Sequence, residues 1–234
     1  MSLLLRRRAL LAAAAGTPPA PAGDIEFVGA TTASYVDANV SSFDVPVPAG
    51  VQADDLMVMV TTQPSDRNVA VPSGWTERLN ITGTAIRLVV WTRTAGASEP
   101  AQYTVSTISS TTAAIFGMVV YRNAVYHAIE SADDSFNTVA TFPSANVGSV
   151  PAVLFRVLGV GSLETDSTVS SPPDGVERVL VEVPSSAGIS AAKGTILGIW
   201  SKEIESTGAS GTDTATIQPD GDRLATATVV IVNA

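Results

Sequence analysis

The chain has 234 residues, enough for one large domain or two small ones, and hydrophobic residues make up 45% of it. Its 13 lysines and arginines against 22 aspartates and glutamates give a net charge of -9. This balance argues against a nucleic-acid partner, because phosphate binding requires a basic stripe. There is no cysteine, which excludes disulfides, thiolate nucleophiles and thiolate metal ligands, and His127 is the single histidine, which excludes a histidine-cluster metal site.

The first residues are rich in leucine, alanine and arginine and run into Pro18, Pro19 and Pro21. Such a composition favours a helix, which the prolines then end in favour of an extended linker. The apolar run is too short to span a bilayer. We therefore predict that residues 1–23 are an attachment arm and linker. The side chains predicted to dock on a partner are Leu3, Leu4, Leu5, Arg6, Arg7, Arg8, Leu10 and Leu11.

Two other interpretations of this segment stay open. An uncleaved secretion or Tat-like signal would explain arginines followed by an apolar run and small residues. Against it, three leucines precede the arginines, where a charged region should begin. The segment could equally be a fraying tail, since chain termini are ordered only when something holds them.

From Asp24 onward the pattern is typical of strands. Threonine, valine, serine and alanine dominate, glycine and proline recur at short intervals, and no helical period is sustained. We predict a linking segment over 125–134 and a polar loop over 161–171. The predicted strands are 40–47, 56–61, 86–93, 101–106, 112–122, 138–142, 152–159, 177–183, 196–202, 213–217 and 224–232.

The second part of the chain resembles a weaker copy of the first. Glu77-Arg78 matches Glu177-Arg178, and Trp91 matches Trp200, in the same order along the chain. Asn123-Ala124 likewise matches Asn233-Ala234. A lone open sheet from each part would leave one face uncovered. We therefore predict an all-β fold, a two-sheet antiparallel β-sandwich of jelly-roll type, in which residues 24–234 form one body from related halves 24–124 and 125–234.

A series of short motifs carries a family resemblance that covers about residues 30 to 234. In order they are Asp55-Leu56-Met57-Val58, Pro72-Ser73-Gly74-Trp75-Thr76, Ala97-Ser98-Glu99-Pro100-Ala101-Gln102-Tyr103-Thr104 and Val120-Tyr121-Arg122-Asn123-Ala124. This order resembles a class of tailed-phage virion proteins and related bacterial surface β-domains, in which "GD-L-V", "P-GWT", "AG-EP--YT" and "YRG" follow one another. The arm is similar to the start of structural genes in phages and gene transfer agents.

The chain departs from that class at two positions. Asp54 stands where the first motif usually has glycine, and Asn123 stands where the last motif has glycine. Aspartate and asparagine are the residues other than glycine that best tolerate a left-handed backbone. We therefore expect both positions to be turns with positive φ.

Few residues are candidates for chemistry. His127 lacks a nucleophile elbow to work with, and Glu77 with Glu177 is better explained as part of surface ion pairs than as a glycosidase pair. Asp54-Asp55, Asp133-Asp134 and Asp220-Gly221-Asp222 lack the spacing of a calcium loop. We predict no catalytic residue, no metal site and no cofactor.

The aromatic side chains could form a sugar-stacking platform, although packing in the core is the more ordinary role for them. Trp75 and Tyr126 are the candidate glycan-facing residues.

The resemblance implies a non-enzymatic virion structural protein, in a tail fibre, tail tip, head decoration or spike. We expect the arm to bind a portal, tail or capsid scaffold, and the body to face outward as a homo-oligomer, with a host-surface glycan as a further candidate partner. Neither nucleic acid nor a membrane span is expected. The alternative is a carbohydrate-binding or adhesin module of a secreted or cell-surface protein.

Overall fold

The computed structural model describes residues 23–64, 69–83, 86–134, 137–162, 167–183, 193–218 and 223–234. The predicted arm, apart from Gly23, lies outside these residues. The strands are β1 (Glu26–Pro46), β2 (Leu56–Pro64), β3 (Thr76–Thr82), β4 (Ile86–Thr94), β5 (Gln102–Arg122), β6 (Ala124–Asp134), β7 (Val139–Phe142), β8 (Asn146–Val147), β9 (Ala152–Ser162), β10 (Thr168–Ser171), β11 (Val176–Val183), β12 (Lys193–Ile204), β13 (Gly208–Ala209), β14 (Asp213–Gln218) and β15 (Arg223–Asn233).

The all-β prediction is confirmed for the described part of the chain, whose regular elements are antiparallel strands. The physical reason is the abundance of β-branched residues, which suit a pleated surface better than a helix. A search of the described residues for a helix able to cross a membrane found none.

Two five-stranded sheets dominate the fold. The first has the order β1-β5-β2-β4-β3, and the second has the order β11-β12-β9-β15-β6. A three-stranded sheet, β10-β14-β7, and a two-stranded sheet, β13-β8, complete the described pairings. Each five-stranded sheet thus takes its strands from one continuous stretch of chain, and the jelly-roll connectivity that we predicted is not confirmed.

The two large sheets share one buried cluster of apolar side chains. It includes Val58 and Leu88 from the first sheet and Phe155, Leu197 and Val229 from the second. The backbone of each sheet approaches side chains of the other sheet closely at a glycine. A Cβ on Gly117 of β5 would lie 3.2 Å from Leu197, and one on Gly159 of β9 would lie 3.2 Å from Ile86.

The outer face of the first sheet is covered by its own long strands. The β1–β5 pairing shifts register between Val36 and Ser42, and beyond this point the ribbon folds back. Thr31 donates to the carbonyl of Pro46 at 2.5 Å, although both belong to β1. The returning segments add Phe43, Val45 and Val105 to a second buried cluster, whose further members include Met57, Met59, Trp91, Phe116 and Met118.

The outer face of the second sheet is covered by separate short strands. Phe142 of β7 and Ile217 of β14 are buried there with Trp200 and Leu158. Beneath this layer Arg156 of β9 is only 5% exposed. It donates to the carbonyls of Pro143 (2.9 Å) and Gly211 (3.0 Å), so these bonds hold the overlying connections to the sheet.

Several predicted element boundaries are wrong. The segment 125–134, predicted as a linker, belongs to strand β6, and the predicted loop 161–171 contains β10. The first strand begins at Glu26 rather than at residue 40, and the predicted strands 101–106 and 112–122 are one strand, β5. The errors share a cause, because these strands carry polar residues that a hydrophobicity pattern assigns to loops.

Candidate functional site

The edge strands β3 and β11 each begin beside a proline–glycine turn. Each carries an arginine at the corresponding position. Arg78 lies at a register shift of β3 and Arg178 at a register shift of β11. The Nε atom of Arg78 donates to Thr92 at 2.8 Å, and that of Arg178 donates to Ser201 at 2.7 Å. Both guanidinium groups are thereby fixed against the neighbouring strand.

Each of these arginines lies over an aromatic ring of the other large sheet. The Arg78 guanidinium is 4.1 Å from the ring centroid of Tyr126, and that of Arg178 is 4.0 Å from the ring centroid of Phe27. Such contacts are attractive because the face of an aromatic ring is electron-rich. Both arginines therefore contact the other large sheet, a role that the predicted surface ion pairs of the two Glu-Arg pairs did not include.

Arg78 and Tyr126 border an open cleft of about 250 Å³, which we call the Arg78 cleft. Arg93 is its second cation, 3.6 Å from the largely buried carboxylate of Glu99. That carboxylate also accepts hydrogen bonds from the backbone of Gly96 and from Tyr103. Burial and Glu99 together raise the pKa of Tyr103 to about 12. The full lining is Leu56, Gly74, Thr76, Arg78, Thr92, Arg93, Thr94, Val125 and Tyr126.

The Arg178 cleft lies at the opposite edges of the sheets and has a volume of about 340 Å³. Its cations are balanced by acids, because Lys202 pairs with Asp174 at 2.5 Å and Glu203 also lines the cleft. Burial raises the pKa of Tyr121 in its wall, against the opposing effect of the nearby Arg178 charge.

Beside the Arg178 cleft lies a groove of about 300 Å³, which we call the acidic groove. Three carboxylates border it, those of Asp24, Glu203 and Glu205. Its apolar walls come from Ile25, Pro151, Ala152, Val153 and Ile204. The groove therefore combines negative charge with an apolar floor.

The start of the described chain is fastened to the body at this same end. The side-chain amide of Asn233 donates to the carbonyl of Gly23 at 2.8 Å, and that of Asn123 donates to the carbonyl of Asp24 at 3.0 Å. The backbone of Ala234 donates to the carbonyl of Asn123 at 3.1 Å. These bonds fix where the predicted arm leaves the body.

Two motifs of the family resemblance meet at this end. Asp55, which is 1% exposed, accepts two hydrogen bonds of 3.0 Å from Arg122 and one of 2.8 Å from the backbone of Gln52. Arg122 also donates to the carbonyl of Gly50 at 3.0 Å. The hydrogen bonding to Asp55 raises the pKa of Arg122. Asp55 is therefore a structural anion, and its oxygens are already occupied.

The turn conformations expected at the two departures from the resemblance are confirmed. Asp54 has a φ of 70° and Asn123 has a φ of 55°, and they are the non-glycine residues with positive φ in the described part of the chain. Both are therefore residues that tolerate the left-handed conformation at places where the resembling proteins have glycine.

Because Asp54 is exposed and left-handed, Asp54→Gly is expected to raise the free energy of unfolding by about 0.5 kcal/mol, and Asp54→Val to lower it by about 1 kcal/mol. Urea denaturation measures both. Ala53→Gly, one residue earlier at an ordinary φ, is the control and should lower stability slightly. Equal effects of glycine at the two positions would contradict the backbone argument.

The two candidate glycan-facing aromatics differ in exposure. Trp75 is only 6% exposed and packs edge-on against Tyr103 at 5.2 Å, so the prediction that it faces a glycan is wrong. Its position after the Gly74 turn directs the ring inward onto the outer cluster of the first sheet. Tyr126 is half-buried in the Arg78 cleft, where Arg78 lies over its ring.

The other sequence candidates do not come together. His127 is an exposed residue of β6, beside Gly148. No group of three or more histidine, aspartate or glutamate side chains that could hold a metal ion occurs among the residues the structure describes. The side chains of Asp133 and Asp134, together with Asp220, Gly221 and Asp222, lie outside that description. So do the arm residues Leu3, Leu4, Leu5, Arg6, Arg7, Arg8, Leu10 and Leu11.

Sequence reasoning missed the cross-sheet arginines, the acidic groove and the two asparagine contacts that fix the arm. The repeated Glu-Arg and Asn-Ala pairs were visible signals, but nothing in the sequence showed that their side chains contact the other part of the chain. Comparison of the chain with protein-family models, with curated proteins and with solved structures found no match.

Proposed function

We propose that the chain is a non-enzymatic structural protein of a tailed-phage or gene-transfer-agent-like virion, a component of a tail fibre, tail tip, head decoration or spike. In this proposal residues 1–23 bind the portal, tail or capsid scaffold and the body points outward. The observation that carries it is the fixed exit of the arm. The carbonyls of Gly23 and Asp24 are both held by asparagine side chains, so force on the arm passes into both large sheets.

The family resemblance is supported by the ion pair between its motifs. Asp55 from the first motif and Arg122 from the last form the buried corner described above. Two glycine-like turns, at Asp54 and Asn123, flank that corner. Residues that are separate motifs in the sequence thus make one structural unit, which a chance series of matches would not be expected to do.

The proposal includes a sandwich built from two related halves, 24–124 and 125–234. If β6, β15, β9, β12 and β11 correspond to β1, β5, β2, β4 and β3, the two strand orders are the same. The registers agree as well, because Glu77 pairs with Trp91 and Glu177 pairs with Trp200. The reciprocal stacking of Arg78 on Tyr126 and of Arg178 on Phe27 supports a two-fold relation between the halves.

Deletion of residues 2–16 is the test of anchoring. The variant is expected to lose incorporation into particles while keeping the thermal unfolding midpoint of the full chain, because described residues of the body pack together in four buried clusters. Particles from producing cells are separated on a density gradient, and the protein that sediments with them is quantified. Val71→Ser, at an exposed position of the body, is the control and should be incorporated normally.

A second variant separates charge from apolar contact. Replacing Arg6, Arg7 and Arg8 with alanine is expected to weaken incorporation if acidic residues of the scaffold bind the arm. Normal incorporation of the deletion variant would refute anchoring by the arm.

Under the carbohydrate-binding alternative, Tyr126 and the Arg78 cleft remain candidates for contact with a glycan, whereas Trp75 does not. A glycan array with the full chain tests it. Binding that disappears in Tyr126→Ala, with an unchanged unfolding midpoint, would favour that alternative.

A further inference from the structure

The two large sheets carry matched strand ends that differ in charge. On β4, Trp91 is followed by Thr92, Arg93 and Thr94, and on β12, Trp200 is followed by Ser201, Lys202 and Glu203. The hydroxyl and the cation are retained, and Thr94 is replaced by an acid. Glu205 follows two residues later and adds a further carboxylate. One edge of the sandwich is therefore cationic and the other acidic.

The cationic edge presents an exposed apolar residue between its charges. Val125 is 44% exposed and shares the Arg78 cleft with Arg78 and Arg93. The Arg93 side chain is still 26% exposed, although it pairs with Glu99 at 3.6 Å, and its bond to the carbonyl of Ser73 is long, at 3.4 Å. The cleft thus places one exposed apolar side chain beside two guanidinium groups.

The acidic edge has the complementary charge. The acidic groove is concave, and its floor includes Ile25, Val153 and Ile204. Its rim carries Asp24, Glu203 and Glu205, all of them exposed. The two arginines of the Arg78 cleft are complementary in charge to the carboxylates of the acidic groove.

The two surfaces lie at separate places on the body. The Arg78 cleft is formed at β3 and β6, whereas the acidic groove lies where β9 begins and β12 ends, beside Asp24 and Ile25. Both surfaces are near the place where the predicted arm joins the body. Asp24 lines the acidic groove, and its carbonyl accepts a hydrogen bond from Asn123, which lies two residues before Val125 of the Arg78 cleft. A contact between the two surfaces would join copies side by side with their arms at the same end.

We infer that the acidic groove binds the Arg78 cleft of a second copy of this chain, in a head-to-tail contact. Unlike surfaces repeated by rotation generate a closed ring, in which every copy uses both edges. The inference deepens the proposed function in one respect, since it supplies the homo-oligomer that would present several arms to one scaffold. The contact joins residues 24–234 of two copies and does not require an assembled virion.

The test is analytical ultracentrifugation of the full chain at about 20 mM and about 500 mM NaCl, because interactions between exposed charges are screened by salt. The wild-type chain is expected to associate at low salt, with roughly tenfold weaker association at high salt. A chain that stays monomeric at low salt at every concentration overturns the inference.

Two variants alter one edge each. The first is Thr76→Glu, Arg93→Gln and Thr94→Glu, which makes the cationic edge acidic. The second is Glu203→Lys and Glu205→Lys, which makes the acidic edge cationic. Each alone is expected to lose association, and a mixture of the two should regain it, because the acidic edge of the first then meets a cationic edge of the second.

Thr168→Glu is the control, since Thr168 is an exposed residue of β10 and lines neither the Arg78 cleft nor the acidic groove. It should associate like the wild type. Undiminished association of both edge variants, or a mixture that stays monomeric, overturns the inference. Neither result affects the test of anchoring, which measures sedimentation with particles.

Discussion

Replacing Trp91 or Trp200 with alanine is expected to lower the free energy of unfolding by about 4 kcal/mol in each case. Trp91 is 0% exposed in the outer cluster of the first sheet, and Trp200 is 1% exposed in that of the second. Truncation removes the largest apolar side chain from each cluster and leaves a cavity that the surrounding strands cannot close. Trp200 also lies directly over Gly198, so its ring is held on the strand itself.

Trp91→Phe and Trp200→Phe are the matched controls. Among the described residues no hydrogen-bond partner is present for either indole nitrogen, so phenylalanine gives up only volume. A cost of about 1 kcal/mol is expected. Chemical denaturation followed by circular dichroism measures all four variants. Equal costs for alanine and phenylalanine would contradict the packing argument.

The unfolding of these variants also tests the sandwich. The cluster between the large sheets draws on both of them, so each tryptophan variant should unfold in one transition. Two separate transitions would show that the sheets unfold independently.

Asp55→Ala is expected to lower the free energy of unfolding by about 3 kcal/mol. The carboxylate is buried and accepts hydrogen bonds from Arg122 and from the backbone of Gln52. Its removal leaves the Gln52 amide and the Arg122 guanidinium without their acceptor. The free-energy cost of these unsatisfied groups exceeds the net stability that the hydrogen bonds themselves contribute.

Arg122→Gln should be less destabilising than Asp55→Ala, because the arginine side chain is 26% exposed and water can replace part of what it loses. A double-mutant cycle by thermal or urea unfolding gives the coupling between the two residues. Additive effects would show that the pair does not join the two turns. The exposed neighbour Asp54→Ala is the control, and its cost should stay at about 1 kcal/mol.

Much of the architecture could be predicted from the sequence, because the side-chain pattern of a β-strand repeats every two residues and is visible in short segments. Alternation and β-branched composition identified most strands, and turn residues located the corners at Asp54 and Asn123. The sequence matched Glu77 with Glu177 and Trp91 with Trp200, and in the structure each glutamate lies opposite the tryptophan of its own sheet.

Other features were not predictable in the same way. β6 was predicted as a linker, because an edge strand with polar side chains has the composition of a loop. Trp75 was a candidate for the surface, since the sequence does not show to which side of a turn a ring points.

The sequence by itself determined that this protein is all-β, that it lacks thiol chemistry, and that its turns at Asp54 and Asn123 carry residues that tolerate a left-handed backbone. These properties depend on individual residues and their nearest neighbours. Only the tertiary structure decided that the sheets share a core, that Arg78 and Arg178 contact rings of the other sheet, and that three carboxylates border one groove and two arginines a separate cleft. The physical reason is that side chains alternate between the two faces of a strand, so the sequence alone predicts which face each one lies on. Which other strands pack against that face depends on contacts between distant parts of the chain.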